Sequence, residues 1–385
     1  MSPKQYICPA ETTPHIATIL GFPSPCSTLP GLYERTCSEI VDLAGTLAPF
    51  EPVRLHVRPE IQARAQQMVN ERMNNNDSAP HKTQITLVPC ATNHCWVRDT
   101  GPVYVRGADD GKRYAIDFRF CEWGVKTDEE IYQSRVGETE PELGDEWPVM
   151  GEEAMSENTA FAERVLELEN QISKSNQVQR IASPIRLEGG GIEIDGEGTF
   201  MATESSIVGG KRNPGMSRTE IETHLRQLLG VTHFIWFPGR AGLDITDCHV
   251  DAEARFVKPG VVVLSKPHPS VDQVYHDMYE EMREVLRTTK DAKGRTIEVH
   301  DIEDPDPVLV RGNLPGEEKV PAAAYVNFYF ANGVLVAPVF GDPVADAKAV
   351  QTLRDLVPER EIRTVSVNAL PRTGGVLHCV TQQVM

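Results

Sequence analysis

Cys379 has the sequence surroundings of a candidate nucleophile. It follows the glycine pair Gly374-Gly375 and precedes the polar run Thr381-Gln382-Gln383. Glycines let the backbone approach another group closely, and we expect a short strand to carry the thiol to that point. An unperturbed thiol has a pKa of about 8.5, so only a few per cent is thiolate at pH 7. A neighbouring imidazolium or a cationic substrate would raise that fraction.

His249 is the histidine that we select as the acid–base group. It lies between Asp247 and Asp251 at the start of a predicted strand, so the side chains of His249 and Asp251 should face the same side. A carboxylate beside an imidazole stabilises the imidazolium form and favours a general acid. His378 is a rival because it adjoins Cys379. Adjacent strand residues point to opposite faces, however, so we expect His378 to pack elsewhere.

Two further carboxylates occur in short polar motifs. Asp99 follows Trp96-Val97-Arg98, and Glu188 precedes Gly189-Gly190-Gly191. Taken alone, each motif favours a structural role over a catalytic one: a salt-bridged loop for Arg98-Asp99 and a tight turn for the three glycines. Several carboxylates around one thiol are unsuited to hydrolysis of acyl groups, but they would orient a planar cation with several N–H donors. Together, these residues predict a site for a guanidinium group whose central carbon faces the sulfur.

The predicted elements that must bring these residues together follow a repeating order. Hairpin, helix and strand signals recur four or five times, at intervals of very roughly 70–90 residues. A ring of such units would gather loops from different repeats into one site. A doubly wound α/β sheet also alternates its elements. Units that begin with a hairpin need antiparallel pairs, however, and this disfavours a purely parallel sheet.

The composition restricts the partners. The chain has 385 residues and a formal charge of −18, which disfavours nucleic acid and suits a small cationic substrate. Most of these carboxylates are expected on a solvated surface. The eight cysteines form no C-x-x-C pair, and we find no signal peptide and no membrane-spanning stretch. We expect a cytoplasmic, reduced protein that does not bind membranes.

One segment interrupts the repeating order. Residues 128–158 are rich in Glu, Asp, Gly and Pro and poor in branched apolar residues. We interpret this segment as an acidic surface insertion rather than a domain boundary. The whole chain, residues 1–385, is then a single catalytic domain.

Five motifs occur in order along the chain. They are Trp96-Val97-Arg98-Asp99-Thr100-Gly101-Pro102, Glu188-Gly189-Gly190 with Asp195-Gly196-Glu197-Gly198-Thr199, Thr246-Asp247 with His249 and Asp251, Asn327-Phe328-Tyr329 with Ala331-Asn332-Gly333, and Gly375 with His378-Cys379 and Thr381-Gln382-Gln383. In this order they closely resemble the agmatine deiminase family, which belongs with the Porphyromonas-type peptidylarginine deiminases. The match runs from about residue 8 to the last residue.

The resemblance implies an α/β fold of the pentein type, a propeller of five ββαβ units around a pseudo-fivefold axis. It implies no cofactor and no metal, and often a homodimer. The implied reaction is hydrolytic deimination of a small guanidine, most directly of agmatine to N-carbamoylputrescine and ammonia in polyamine biosynthesis.

The resemblance also implies roles for individual residues. Cys379 would attack the guanidinium carbon and form a thiouronium intermediate, and His249 would act first as general acid and then as base. Glu188 would orient His249, and Asp99 and Asp251 would hold the guanidinium nitrogens. The expected substrate-binding residues are Asp99, Asp251, Trp96, Arg98 and Gly375.

The sequence departs from the family pattern at four positions. Thr12 stands where the family usually has a tryptophan, Cys248 replaces a glycine, Glu193 replaces a common histidine, and Val376 replaces a common asparagine. These changes leave the core chemistry intact and affect recognition of the substrate's tail.

Other functions remain open at this stage. The substrate could instead be peptidylarginine, free arginine or another alkylguanidine. An amine could replace water as the acceptor, which would make the enzyme an amidinotransferase. A catalytically silent binding protein could retain the same fold. Finally, Cys248, His249, Asp251 and Cys379 could be metal ligands, although adjacent residues of mixed type converge poorly on one ion.

Overall fold

Five small β-sheets and the helices that connect their strands make up the fold. The computed structural model describes residues 5–28, 30–74, 85–125, 152–172, 174, 177–311 and 322–385. The strands in this part of the chain are β1 (Tyr6–Ile7), β2 (Ala17–Gly21), β3 (Val53–Val57), β4 (Ile85–Pro89), β5 (Val103–Gly107), β6 (Arg113–Asp117), β7 (Gln179–Ala182), β8 (Glu193–Ile194), β9 (Thr199–Thr203), β10 (His233–Phe237), β11 (Ala254–Lys258), β12 (Val261–Lys266), β13 (Glu298–Glu303), β14 (Tyr329–Ala331), β15 (Val334–Val339), β16 (Glu361–Ser366) and β17 (Thr381–Val384).

The helices lie between these strands. The longer ones are Pro30–Leu47, Gln62–Asn74, Glu152–Thr159, Phe161–Ile172, Arg218–Leu229, Gln273–Thr288 and Pro343–Leu356. Short α-helical turns span Val97–Thr100, Glu122–Val125, Glu204–Ile207, Pro307–Arg311 and Ala369–Thr373, and 3-10 turns span Pro59–Ile61, Gly189–Gly191 and Val250–Ala252. No helix in the described ranges has the length and apolar character needed to cross a bilayer.

The same strand arrangement recurs in the five sheets. Each contains an antiparallel pair followed by a parallel strand, and β1 and β4 add a fourth strand to two of them. In the sheet β8-β9-β10, β8 pairs with β9 antiparallel, and β10 returns parallel to β9 after the helix Arg218–Leu229. A parallel neighbour requires such a crossover. The arrangement agrees with the hairpin, helix and strand order predicted from the sequence.

The C-terminal strand completes a sheet that begins near the N-terminus. β17 pairs with β2 antiparallel, with Thr381 opposite Leu20 and Val384 opposite Ala17. This pairing places the segment that ends at Cys379 close to the N-terminal segment. It explains how the two ends of the chain contribute to the same site.

Burial on both faces explains the apolar strands. Val261, Val262, Val263 and Leu264 of β12 are all buried, so β12 forms a continuous apolar run rather than an alternating one. Helices bury a single stripe instead. Helix Gln273–Thr288, for example, buries Met278, Tyr279, Met282 and Leu286, at the spacing of one helical face.

The structure corrects two sequence-based expectations. Cys379 does not lie on a strand but in a turn over residues 377–380, directly before β17. His249 precedes the 3-10 turn Val250–Ala252 rather than a strand. Of the predicted acidic insertion, residues 128–151 lie outside the described residues, and residues 152–158 belong to helix Glu152–Thr159.

The N-terminus of helix Arg218–Leu229 provides a test of local stability. Ser217 and Glu220 form a capping box, in which each side chain accepts a hydrogen bond from the other residue's backbone N–H. We expect Ser217→Ala to lower the free energy of unfolding by about 1 kcal/mol, because one N–H group of the first turn loses its partner. Chemical denaturation measures this loss. The matched variant Ser217→Asp retains a capping oxygen and should remain close to wild type; an equal loss in both variants would contradict the capping explanation.

Candidate active site

The turn that carries Cys379 packs closely against Gly375. A Cβ atom at position 375 would lie 3.0 Å from Sγ of Cys379 and 2.8 Å from the ring of Trp96. The glycine therefore provides the room in which the thiol and the indole ring meet. This contact gives Gly375 and Trp96 defined places beside Cys379, which is partly exposed.

Asn327 anchors this turn, although the sequence analysis did not include it among the site residues. Its Oδ1 accepts hydrogen bonds from the backbone N–H groups of His378 and Cys379, at 2.9 and 3.4 Å. Its Nδ2 lies 3.3 Å from Sγ of Cys379 and donates to the carbonyl of Asp251 at 3.1 Å. The sequence signal was a polar residue within the apolar segment before β14, in one of the five motifs.

His249 is held between two carboxylates. Its Nε2 lies 3.1 Å from Oε2 of Glu188, and its Nδ1 lies 3.7 Å from Oδ1 of Asp99. Asp99 also accepts a hydrogen bond from the backbone N–H of Gly190 at 3.2 Å. The structure thus brings His249, Glu188 and Asp99 together from three distant parts of the chain.

Asp251 connects His378 with the thiol. Its Oδ2 lies 2.7 Å from Nδ1 of His378 and 3.6 Å from Sγ of Cys379. Its Oδ1 is buried and has no hydrogen-bond partner among the described residues. The expectation that His378 packs elsewhere was wrong, because residues 377–380 form a turn. In a turn, neighbouring side chains do not alternate between opposite faces.

Gly190 occupies the centre of this group of side chains. A Cβ atom added there would lie 2.8 Å from Nδ1 of His249, 2.9 Å from Oδ1 of Asp99 and 3.0 Å from Oδ2 of Asp251. Three polar groups therefore converge on the space above one backbone position. The absence of a side chain at Gly190 keeps that space open.

The carboxylates strongly affect the charge of His249. Burial alone would lower its pKa, but the charges of Asp99 and Glu188 and the hydrogen bond to Glu188 raise the pKa to about 9. Burial by itself would raise the pKa of Glu188, yet the charge of Arg212 and the contact with His249 lower it. At neutral pH, His249 is thus an imidazolium beside an ionised Glu188.

The thiol lies in an electrostatic environment that opposes its ionisation. Burial and the negative charges of Asp251 and Asp99 raise the pKa of Cys379 well above its ordinary value. Burial also raises the pKa of Asp99, and repulsion from Asp251 and Glu188 adds to that effect. A cation bound between Cys379, Asp99 and Asp251 would lower the pKa of both the thiol and Asp99.

Glu11 connects the site to the N-terminal segment. Its carboxylate accepts hydrogen bonds from Arg98 and Arg255, both at 3.1 Å, and lies 2.8 Å from Nε2 of His378. Arg98 is buried, and its other nitrogens donate to Gln383 and to the carbonyl of His378. These contacts favour a role for Arg98 in positioning the Cys379 turn over the direct substrate contact expected from the sequence.

Trp123 is a second site residue that no sequence motif pointed to. Its indole Nε1–H donates to Oδ2 of Asp99 at 2.9 Å. Trp123 and its neighbour Glu122 have left-handed backbone angles, with φ of 51° and 50°. Such angles are unfavourable for residues with a side chain. This hydrogen bond fixes one oxygen of Asp99, while the other faces His249.

The four departures from the family pattern lie mostly in buried surroundings. Cys248 has a left-handed φ of 68°, which explains why glycine suits this position. Glu193 pairs with Arg255 and accepts from the backbone N–H of Phe256. Val376 is buried, and the carbonyl of Thr12 accepts a hydrogen bond from Arg360 at 2.7 Å.

The arrangement of Cys248 does not favour the metal-site interpretation. Its thiol donates to the carbonyl of Arg240 and packs in a different apolar cluster from that of Cys379. Among the residues that the structure covers, no group of three His, Cys, Asp or Glu side chains is arranged to hold a metal ion.

Comparison with known proteins yields one family and several full-length relatives. The model of the Porphyromonas-type peptidyl-arginine deiminase family matches residues 7–384. An agmatine deiminase of Stutzerimonas stutzeri is 32% identical over 397 residues, which cover 99% of this chain and 96% of that protein. An agmatine deiminase of Ectopseudomonas mendocina is 33% identical over 387 residues, covering 97% and 94%. The solved structure of the Enterococcus faecalis agmatine deiminase superposes with a TM-score of 0.79 at 24% identity, covering 99% of this chain and 96% of that one.

The space above Gly190 provides a direct test of the site. We expect Gly190→Ala to reduce turnover by at least about 100-fold, because the new methyl group must displace His249, Asp99 or Asp251. Steady-state kinetics, together with a thermal melt to verify folding, measures the effect.

Gly191→Ala is the matched control for this prediction. A Cβ atom at position 191 would meet its nearest neighbours at 3.6 Å, an ordinary van der Waals distance. We expect this variant to retain most of its activity. Equal loss of turnover in both variants would show that the triple-glycine turn, and not the space above Gly190, is what matters.

Proposed function

The chain belongs to the Porphyromonas-type peptidyl-arginine deiminase family, and we propose that it hydrolyses the guanidinium group of agmatine to N-carbamoylputrescine and ammonia. The named relatives, which match almost the whole chain, support agmatine as the substrate. The site geometry supports deimination as the reaction. A deiminase of free arginine, peptidylarginine or another alkylguanidine is the alternative that retains the same chemistry.

One observation carries the proposal. Oδ1 of Asp251 is a buried carboxylate oxygen without a partner in the described structure, and it belongs to the same carboxylate that contacts the thiol of Cys379. An unpaired buried acceptor is costly. A guanidinium N–H would satisfy this oxygen, and Asp99 offers a second carboxylate close to His249. A planar cation bound by both would present its central carbon to the sulfur.

Substrate binding would also activate the nucleophile. The negative charges of Asp251 and Asp99 raise the pKa of the free thiol. A bound guanidinium compensates these charges and favours the thiolate by direct attraction. Cys379 is therefore expected to ionise mainly once the substrate is present, which limits reaction with other electrophiles.

The reaction proceeds through a covalent intermediate. When the substrate binds, the thiol of Cys379 loses its proton to solvent, because His249 is already protonated. The resulting thiolate attacks the guanidinium carbon and forms a tetrahedral adduct. His249, which is protonated, transfers its proton to one amino group, and that group departs as ammonia. The product of this half-reaction is a thiouronium bonded to Cys379. His249, now neutral, removes a proton from water, and the resulting hydroxide adds to the carbon. The C–S bond then breaks with Cys379 leaving as the thiolate, and the hydroxyl group loses its proton to solvent, which gives the ureido product.

Residue roles follow from these steps. Glu188 orients His249 and stabilises its imidazolium form. Asp99 and Asp251 hold the guanidinium nitrogens, and Asn327 holds the Cys379 turn in place. Trp96 and Gly375 shape the space beside the sulfur.

We also propose the overall architecture of five ββαβ units that the family resemblance implies. The five sheets share one strand arrangement, which supports a pentein propeller in which the chain forms a single catalytic domain and the site collects loops from different units. A cytoplasmic location, a homodimer, and the absence of nucleic-acid, membrane and cofactor partners stay predictions from the sequence.

Ammonia release from agmatine, arginine and an arginine-containing peptide tests the function. We expect release from agmatine with formation of N-carbamoylputrescine, and loss of turnover in Cys379→Ala, because no other group would form the covalent bond. Transfer of the amidino group to an added amine would instead indicate an amidinotransferase. A measurable rate in Cys379→Ala, or no release from any of the three substrates by the wild-type protein, would refute the proposal.

The pH dependence tests the role of His249. Because its pKa is raised to about 9, the acid form is present below that pH and is lost as the pH rises through it. We therefore expect kcat/KM to fall above about pH 9. Glu188→Gln should shift this alkaline limb to lower pH, since Glu188 contributes to the raised pKa of His249. An alkaline limb that stays in place in Glu188→Gln would contradict this assignment.

A further inference from the structure

Arg212 contacts both Glu188, which lies beside His249, and the segment that leads into His249. Its Nε–H lies 3.0 and 2.8 Å from the two carboxylate oxygens of Glu188. Its Nη1 donates to Oδ2 of Asp247 and its Nη2 to the carbonyl of Thr246, both at 2.8 Å. One buried guanidinium thus joins the residue that contacts His249 to the segment that leads into His249.

The segment that Arg212 holds is conformationally unfavourable. Asp247 and Cys248 both have left-handed backbone angles, with φ of 60° and 68°. Two consecutive left-handed residues with side chains require support from their surroundings. Arg212 contributes to that support together with Thr203, whose hydroxyl donates to the carbonyl of Cys248 at 2.6 Å. The direction in which the chain enters His249 depends on this turn.

We infer that Arg212 is a positioning residue for the proposed deimination, because it fixes Glu188 and the Asp247–Cys248 turn in the arrangement that holds His249. This inference rests on the proposed function. The alternative is that Arg212 is only a buried ion pair that stabilises the fold. The two roles differ in what happens to Glu188 when the arginine is removed.

Arg212 affects Glu188 through its positive charge as well as through its hydrogen bonds. The charged and titratable groups around Glu188 are Arg212, His249, Asp99 and the thiol of Cys121. Burial disfavours the ionised form of Glu188, and the negative charge of Asp99 does so as well, while Arg212 and His249 favour it. The thiol of Cys121 is neutral where Glu188 titrates, because burial and the charge of Glu188 raise its pKa. Removal of Arg212 therefore favours protonation of Glu188, and a protonated Glu188 no longer stabilises the imidazolium of His249.

Two variants separate charge from geometry. Activity requires ionised Glu188, so the acidic limb of the kcat/KM profile should follow its protonation. Arg212→Gln removes the charge that favours ionised Glu188, and we expect it to lower kcat roughly 100-fold and to move this acidic limb upward by about one pH unit. Arg212→Lys keeps the charge but loses the planar fork, which can contact Glu188, Asp247 and Thr246 together. We expect it to lower kcat about 10-fold and to leave the acidic limb in place.

Arg113→Gln is the matched control. Arg113 is also buried and pairs with Glu169 and the carbonyl of Met385, away from the site. Arg113→Gln should lower the melting temperature and leave the kcat/KM pH profile unchanged. If Arg212→Gln behaves in the same way, with reduced stability and an unmoved acidic limb, Arg212 is structural and the inference is wrong.

A crystal structure of Arg212→Gln decides the inference independently of turnover. We expect the contact of 3.1 Å between His249 and Glu188 to lengthen or break, and the Asp247–Cys248 turn to rearrange. An unchanged contact and turn would overturn the inference. Should the wild-type protein deiminate no guanidine, the proposed function fails, and this structural comparison still decides whether Arg212 positions His249.

Discussion

The carboxylate of Asp251 is buried directly beside a thiol, and the rest of the site depends on how the protein tolerates this charge. Oδ2 is stabilised by His378, which in turn contacts Glu11, and Glu11 is held by Arg98 and Arg255. Burial by itself would raise the pKa of Asp251, but the hydrogen bond to His378 and the charges of His249 and Arg255 lower it, so the fully buried carboxylate stays ionised. Its other oxygen, Oδ1, is buried and has no hydrogen-bond partner in the described part of the chain, and it is the atom that we propose as an acceptor for the guanidinium.

A second constraint is steric. The site exists because the backbone comes close where side chains would not fit, at Gly190 among three polar groups and at Gly375 beside the sulfur. Left-handed backbone angles are a second unfavourable feature of the site. They occur at Trp123, which donates to Asp99, and at Cys248, which directly precedes His249. Strain of this kind persists only where surrounding contacts determine the conformation. In the described part of the chain, left-handed residues with side chains include two that directly precede His249 and one that contacts Asp99, the groups that we propose for the chemistry.

The elements and the site residues were predictable to different degrees. Helix Arg218–Leu229 begins at a capping box of Ser217 and Glu220, and the β14-β15 hairpin turns at Asn332-Gly333. Both signals are local, so both elements are predictable from the sequence. The set of Cys379, His249, Glu188, Asp99 and Asp251 was named from motifs, and the structure brings these residues together. Glu11, Trp123, Asn327 and Arg212 were not named as site residues, since each acts through a contact with a residue far away in the sequence.

The sequence by itself determined the residue types available for chemistry, the repeating order of hairpin, helix and strand, and the family to which the chain belongs. These follow from local periodicity, turn chemistry and ordered motifs. Only the tertiary structure decided that His378 faces Asp251, that Arg98 donates to the carbonyl of His378, and that one oxygen of Asp251 has no hydrogen-bond partner among the described residues. The reason is physical: the direction of a side chain in a turn, and the charge that surrounds it, are set by packing between segments hundreds of residues apart, which no local pattern encodes.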